Sequence, residues 1–181
     1  MRKVILNLAV TLDGFIEGSN GEIDWCIMEQ EMDFKGFLDS VDTIFYGRVS
    51  YDQWGNYKVD ETADLYEQIM WKKIHGMHKY VFSRQKKKDA GVTYISENVV
   101  EQVAAIKQKP GKDIWLYGGA SLINSFITND LIDKYILSVH PIALGKGKPL
   151  FEDLKQSLSL KLENTRIFHS GVIELTYVPI K

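Results

Sequence analysis

The chain is short of the residues that most directly announce a function. Among its 181 residues there is one cysteine, Cys26. That excludes an internal disulfide and any multi-cysteine metal site. No base stands beside Cys26 in the sequence, so a nucleophilic thiol is not expected. The four histidines, His75, His78, His140 and His169, do not fall at metal-ligand spacing. His75 and His78 could share a helix face, but no carboxylate or thiol stands at useful spacing from them, and no metal site is expected. His140, beside Pro141 at a strand end, reads as structural or pocket-lining. The formal net charge is only −2, which calls for neither nucleic acid nor an anionic membrane. No run approaches about 18 apolar residues without a charge, so no membrane-spanning helix is predicted. The opening "MRKVILNLAVTLDG" is basic and then apolar, but Asn7 interrupts it, Asp13 follows, and no small-residue cleavage site appears. The expected compartment is the cytoplasm. G-x-G-x-x-G, the P-loop and the G-x-S-x-G elbow are all missing, which excludes an ordinary Rossmann fold, a P-loop NTPase and a serine elbow.

What is present is a globular pattern. Hydrophobic residues make up 45% of the chain and charged residues 25%, enough apolar surface for a core and too much for disorder. One domain over 1–181 is expected, with no repeat, linker or low-complexity tract. Strands are predicted over 3–12, 42–47, 79–83, 92–96, 113–117 and 133–144, then 158–167 and 172–179 around "HSG". Helices are predicted over 29–39, 49–54, 97–108 and 120–128. Residues 60–75 read as an amphipathic helix or a lid. Residues 13–22 read as a loop with an Asn20-Gly21 turn. Strands alternating with helices imply an α/β fold with parallel pairs, closed by an antiparallel edge.

Three strand ends carry chemistry. "IWLYGGASLINSF" runs from a strand through Gly118-Gly119 into a helix. A helix start offers unpaired N–H groups and the positive end of a dipole, and glycine admits a close anion. "FYGRVSYDQW" repeats the theme with Gly47, Arg48 and Ser50, and "VFSRQKKK" with Ser83 and Arg84. Ligands of open α/β sheets bind at such carboxyl ends, so the three together point to a phosphorylated ligand. Acids crowd the region after the first strand: Asp13, Glu17, Asp24, Glu29, Glu31 and Asp33. One of them, protonated by burial, could deliver a proton. Trp25 could wall a pocket for a flat ring.

The order "ILNLAVTLDGFI", "YGRVSYDQW", "KYVFSR", "IWLYGGASLINSFI", "HPIALGKGKPLF" resembles the dihydrofolate reductase superfamily. Within it the chain looks most like stand-alone relatives of the reductase domain of the riboflavin-biosynthesis deaminase-reductase. The resemblance implies a dihydrofolate reductase-like α/β/α fold with a mixed, mostly parallel sheet. It also implies NADPH as cofactor, without flavin or metal, and a homodimer formed through sheet edges, which the apolar "GVIELTYVPI" suits. By the same resemblance, Ala9 and Ile16 hold the nicotinamide carboxamide, and Gly47, Arg48 and Ser50 grip phosphates. Ser83 and Arg84 surround the 2′-phosphate, and Gly118, Gly119, Ala120, Ser121 and Leu122 hold the pyrophosphate. Asp13 is the expected proton donor, with Trp25 and Asp33 toward substrate. Two features depart from the relatives. Gln30 aligns where dihydrofolate reductases carry their pterin-binding acid, and Lys35 is the lone cation where riboflavin reductases carry arginine. The activity implied is direct hydride transfer to a small planar substrate, pteridine- or pyrimidine-like. The competing expectations are a non-catalytic NADP(H)-binding protein of the same fold and a ligand-free structural module.

Overall fold

In the computed structural model, residues 1–60, 62–85, 87–152, 154 and 156–180 are described. Its centre is β1 (Val4–Thr11), whose even-numbered Val4, Leu6 and Val10 are buried in one core while Asn7 and Ala9 turn to the other face. An apolar run on both faces suits a strand covered on both sides. The remaining strands of the main sheet are β3 (Val41–Gly47), β4 (His78–Phe82), β5 (Val92–Ile95), β6 (Asp113–Gly118), β7 (Lys134–His140), β9 (Leu160–Ile167) and β10 (Ile173–Pro179). Their order is β5-β4-β3-β6-β1-β7-β10-β9. The pairs from β5 through β7 are parallel, and β10 pairs antiparallel with both β7 and β9.

Helices cover both faces, as the dihydrofolate reductase-like class requires. On one face, α4 (Val99–Gln108) and α5 (Ala120–Thr128) pack Val103, Ile106, Ile123 and Phe126 against Leu6, Phe45 and Leu116. On the other, α1 (Phe34–Ser40) and α3 (Leu65–Gly76) pack Leu38, Met70 and Ile74 against Ile44, Tyr46 and Trp115. Leu122, Ile123, Phe126 and Ile127 are all buried. At about 1.5–3 kcal/mol per buried apolar side chain, that stripe is what fixes the direction of α5.

Several expectations need correction. The helix expected over 29–39 is two pieces, a 3₁₀ turn at Gln30–Met32 and then α1. Asp33 separates them at φ 50°, a conformation that stops helix propagation. The 13–22 loop contains β2 (Phe15–Glu17), which pairs with β8 (Lys148–Pro149). The 133–144 strand stops at His140, before Pro141. The 49–54 helix is α2 (Arg48–Ser50) followed by a wider turn at Tyr51–Gly55. Of the 60–75 segment, α3 is fastened to the second core through Met70 and Ile74 rather than standing free as a lid; Glu61 lies outside the described residues.

Candidate functional site

β3 and β6 are neighbours, with Tyr46 opposite Gly118, so their glycine turns emerge side by side. A Cβ on Gly47 would stand 3.2 Å from the Gly119 nitrogen and 3.4 Å from the Gly118 oxygen. A Cβ on Gly119 would stand 3.0 Å from Ser50 Oγ. Gly118 has φ +117°, and the Gly118–Gly119 peptide is cis. The two turns therefore touch through bare backbone, and Ser50 closes the contact. α5 starts there with Gly119 at its N-cap and no side-chain cap. The Leu122 and Ile123 amides return to the Gly119 carbonyl at 2.9 and 3.1 Å. The Ala120 and Ser121 amides belong to the first turn, which has no intrahelical partner. Leu122 departs from its expected role: its side chain is core and its amide is already bonded.

Cations flank the turns. Arg48 pairs with Asp52 at 3.0 Å and Lys87 pairs with the same carboxylate at 3.1 Å. The Lys87 ammonium, with Arg48 adding, holds the Asp52 carboxyl below the usual carboxylate range. Ser83 Oγ accepts from the Gln85 amide at 3.0 Å, which turns the chain after β4. Arg84 is exposed and enters no ion pair among the described residues. Lys86, part of the "QKKK" stretch, lies outside them.

The carboxyl end of β1 is organised by a long-range clasp. Asp13 accepts from Thr11 Oγ1 at 2.6 Å and from the amides of Leu144 and Gly145 at 3.2 and 2.7 Å. The Leu150 amide donates to the Gly14 carbonyl at 2.9 Å, and Phe15 pairs with Pro149. At Gly147 a Cβ would stand 2.4 Å from the Glu17 oxygen, so only glycine lets the strands close. "TLDGFI" and "LGKGKPLF", 131 residues apart by the Asp13–Leu144 separation, are thus one wall. The hydrogen bond from Thr11, followed by that from Gly145, lowers the Asp13 carboxyl below its ordinary value. An ionised acceptor committed to two amides is a poor proton donor, which corrects the expectation for Asp13. Ile16 packs on the first core.

Trp25 stands edge-on to His140, with ring centroids 5.3 Å apart. His140 is 1% exposed, and its Nε2 accepts from the Ile27 amide at 3.0 Å. Its Nδ1 lies 2.9 Å from the Ser138 carbonyl, to which an N–H on that nitrogen donates. His140 thereby anchors the 22–29 segment. Asp33 also needs correction: it is exposed and its carboxylate caps α1 through the Gly36 amide at 3.0 Å. The Cys26 thiol is pushed up to about 11 by burial and by Asp24, which leaves it protonated and weakly nucleophilic at neutral pH. Asp52, Arg166 and Glu174 were not singled out by sequence reasoning, whereas Lys87 lies in the "QKKK" stretch, which reads as a solvated turn or as an attractor of an outer phosphate. Glu174 had a usable signal, a lone acid inside the apolar strand "IELTYVP".

The sheet order, the two helical layers and the glycine turns define a dihydrofolate reductase-like α/β protein. The dihydrofolate reductase of Enterococcus faecalis, solved with NADP(H), superposes with a TM-score of 0.68 at 16% identity, over 99% of this chain and 97% of that one. The structure of a putative riboflavin biosynthesis protein from Shewanella sp. PV-4 superposes with a TM-score of 0.80 at 23% identity, over 99% of both chains. Residues 2–173 match the RibD C-terminal domain, and the chain belongs to that family. The uncharacterized protein YyaP of Bacillus subtilis (strain 168) is 54% identical over 177 residues, covering 97% of this chain and 94% of YyaP. The family supports a reductase-type role.

Proposed function

We propose that the chain is an NADPH-dependent reductase acting on a small planar substrate, in the manner of the 5-amino-6-(5-phosphoribosylamino)uracil reductases. The observation that carries the reading is the meeting of the Gly47 and Gly118-Gly119 turns under the uncapped start of α5. A pyrophosphate laid there would meet the Ala120 and Ser121 amides and the Ser50 hydroxyl, with no Cβ between. Arg48, Ser83, Arg84 and Lys87, at the ends of neighbouring β3 and β4, supply charge for a further phosphate. These residues fit NADPH, and Ala9 and Ile16 line the course toward the nicotinamide.

When bound, NADPH supplies the hydride. The protein's own part is positioning. The Asp13 clasp holds the β1–β2 corner, His140 holds the segment carrying Trp25, and the half-buried Ala9 leaves room on the sheet for a flat ring. The edge strand β9 exposes Leu162 and Ile167, which suits the homodimer the family resemblance implies.

The test is a thermal melt with NADPH, NADP⁺ and NADH in parallel. Saturation at one hundred times Kd stabilises by about 2.7 kcal/mol, or roughly 5–11 °C for a domain of this size. The reading requires that shift with NADPH and a smaller one with NADH, followed by NADPH consumption with a reducible heterocycle. A ligand shift without turnover identifies a non-catalytic binder; no shift with any of them refutes the reading.

A further inference from the structure

Two of the cations beside the glycine turns already hold an anion, and it is the protein's own. Asp52 bridges them, with one carboxylate oxygen 3.0 Å from Arg48 Nη1 and the other 3.1 Å from Lys87 Nζ. The two partners come from different places. Arg48 opens α2 directly after Gly47 and stands four residues before Asp52. Lys87 follows Asp52 by 35 residues, in the 83–91 loop between β4 and β5. A carboxylate that joins an arginine to a lysine through separate oxygens makes the contact that a terminal phosphate makes with such a pair.

The frames on either side of this bridge are fixed, while the bridge itself is loose. Tyr51, next to Asp52, is buried in the second core, with its ring centroid 5.8 Å from that of Tyr46 and 6.3 Å from that of Tyr94. The loop is pinned at its start by the Gln85 amide on Ser83 Oγ. At its end the Tyr94 hydroxyl donates to the Asp89 carboxylate, and the Val92 amide donates to the Asp89 carbonyl at 3.2 Å. Asp89, the acid of this loop, is thus committed to Tyr94. The side chains of Asp52, Arg48 and Lys87 are by contrast 37%, 40% and 42% exposed. Exposed ion pairs are individually weak, so the Asp52 carboxylate can turn into water without disturbing the core. Lys87, with Arg48 adding, lowers the Asp52 carboxyl below its ordinary value, so the bridging group stays charged at neutral pH.

We propose that Asp52 is an exchangeable stand-in for a ligand phosphate: it holds Arg48 and Lys87 in the free protein, yields them to the adenosine 2′-phosphate of NADPH, and takes them back as the cofactor leaves. The inference rests on the reductase reading for the identity of the ligand and goes beyond it in how that ligand is released. A phosphate monoester carries close to two negative charges at neutral pH, against one on Asp52, and prevails while it is bound. When it withdraws, the carboxylate is already beside both cations, so neither is left bare on the way out. NADH carries a hydroxyl in place of that phosphate and leaves the bridge closed. Asp52 therefore shortens the life of the phosphate-bearing complex and has no such effect on the other. Cofactor release limits turnover in many enzymes, which gives this exchange a use.

The test is the rate of cofactor release from the full chain. The complex with NADPH, and separately that with NADH, is mixed with excess NADP⁺ at low salt in a stopped-flow instrument, and the fluorescence of the reduced cofactor reports its departure. Asp52→Asn is expected to slow NADPH release by about threefold to tenfold, the worth of two exposed ion pairs, and to leave NADH release within twofold of wild type. Asp52→Glu, which keeps the charge, is expected to restore a rate within twofold of wild type. Unchanged or faster NADPH release in Asp52→Asn, or equal slowing of both cofactors, would overturn the inference. Should NADH bind too weakly to follow, the glutamate variant decides, and a rate as slow as that of the asparagine variant overturns it. Should wild type ignore both cofactors, the exchange is read in melts with inorganic pyrophosphate at low salt. A larger pyrophosphate shift in Asp52→Asn than in wild type would support the stand-in and refute only the cofactor reading; equal shifts, or none, would overturn both.

Discussion

Gly47→Ala isolates the contact between the two glycine turns. Gly47 has φ −71°, open to any residue, so alanine carries no backbone penalty there. The cost is steric. The new methyl would sit 3.2 Å from the Gly119 nitrogen and 3.4 Å from the Gly118 oxygen. Both are backbone atoms, fixed by β6 on one side and by the buried stripe of α5 on the other, so neither can rotate away. Overpacking of this kind costs about 1–3 kcal/mol. Replacing glycine restricts the unfolded chain and returns about 0.4–1 kcal/mol. The net is a loss of roughly 0–2.6 kcal/mol, or up to about 10 °C in Tm. The larger effect falls on the ligand, because the turns must part by a few tenths of an ångström where a pyrophosphate would lie. The assay is a melt of both proteins with and without NADPH, and the NADPH-induced shift is expected to shrink by more than half. Gly119→Ala is the control: its methyl meets only Ser50 Oγ, at 3.0 Å, which a rotamer change relieves, so its Tm is expected to fall less. If Gly47→Ala melts with wild type and keeps the full NADPH shift, the glycine is not there for the close approach of the turns.

The remaining predictions probe the walls and the charges. Asp13 has a folded-state pKa below its unfolded value, so its contribution is present at neutral pH and disappears as pH falls through the depressed value. Melts taken from pH 7 to pH 3 should show a shallower acid loss for Asp13→Asn than for wild type; identical acid limbs would contradict the clasp. His140→Ala leaves the Ile27 amide and the Ser138 carbonyl unpaired around a cavity, at about 2–4 kcal/mol. Hydrogen exchange of residues 22–29 should accelerate well beyond that of α5; uniform acceleration would mean that His140 supports the core rather than the segment. Asp52→Asn releases Arg48 and Lys87 from their shared carboxylate. NADPH should then bind several-fold tighter at low salt, with the gain fading as salt screens it; weaker binding would show that Asp52 orients the cations rather than occupying them.

The site was legible in parts. Gly47, Ser50 and Gly118-Gly119 stood out because a glycine between a strand and a helix is a local backbone signal, and the structure brings those turns into contact. The acids were misread because carboxylates look alike along a chain. Asp13 and Asp33 are told apart from the other acids only by what surrounds them, two amides of a distant turn for one and the start of α1 for the other. The break at Asp33 was hidden for a related reason, since the 29–39 stretch has helical periodicity and only the folded path puts that residue at positive φ.

What the sequence determined by itself is what short-range chemistry decides. The continuous apolar strands require cover on two faces, the alternation of strands and helices requires parallel pairing, and the glycines mark where backbone must come close. The tertiary structure alone decided which partners lie across those strands. The union of residues 11–15 with 144–150, the hold of His140 on Ile27, and the pairing of Ala9 with Ser138 and of Ser138 with Glu174 all depend on strand order and register. Register is set by the whole sheet closing over two cores, and no local window of residues contains it.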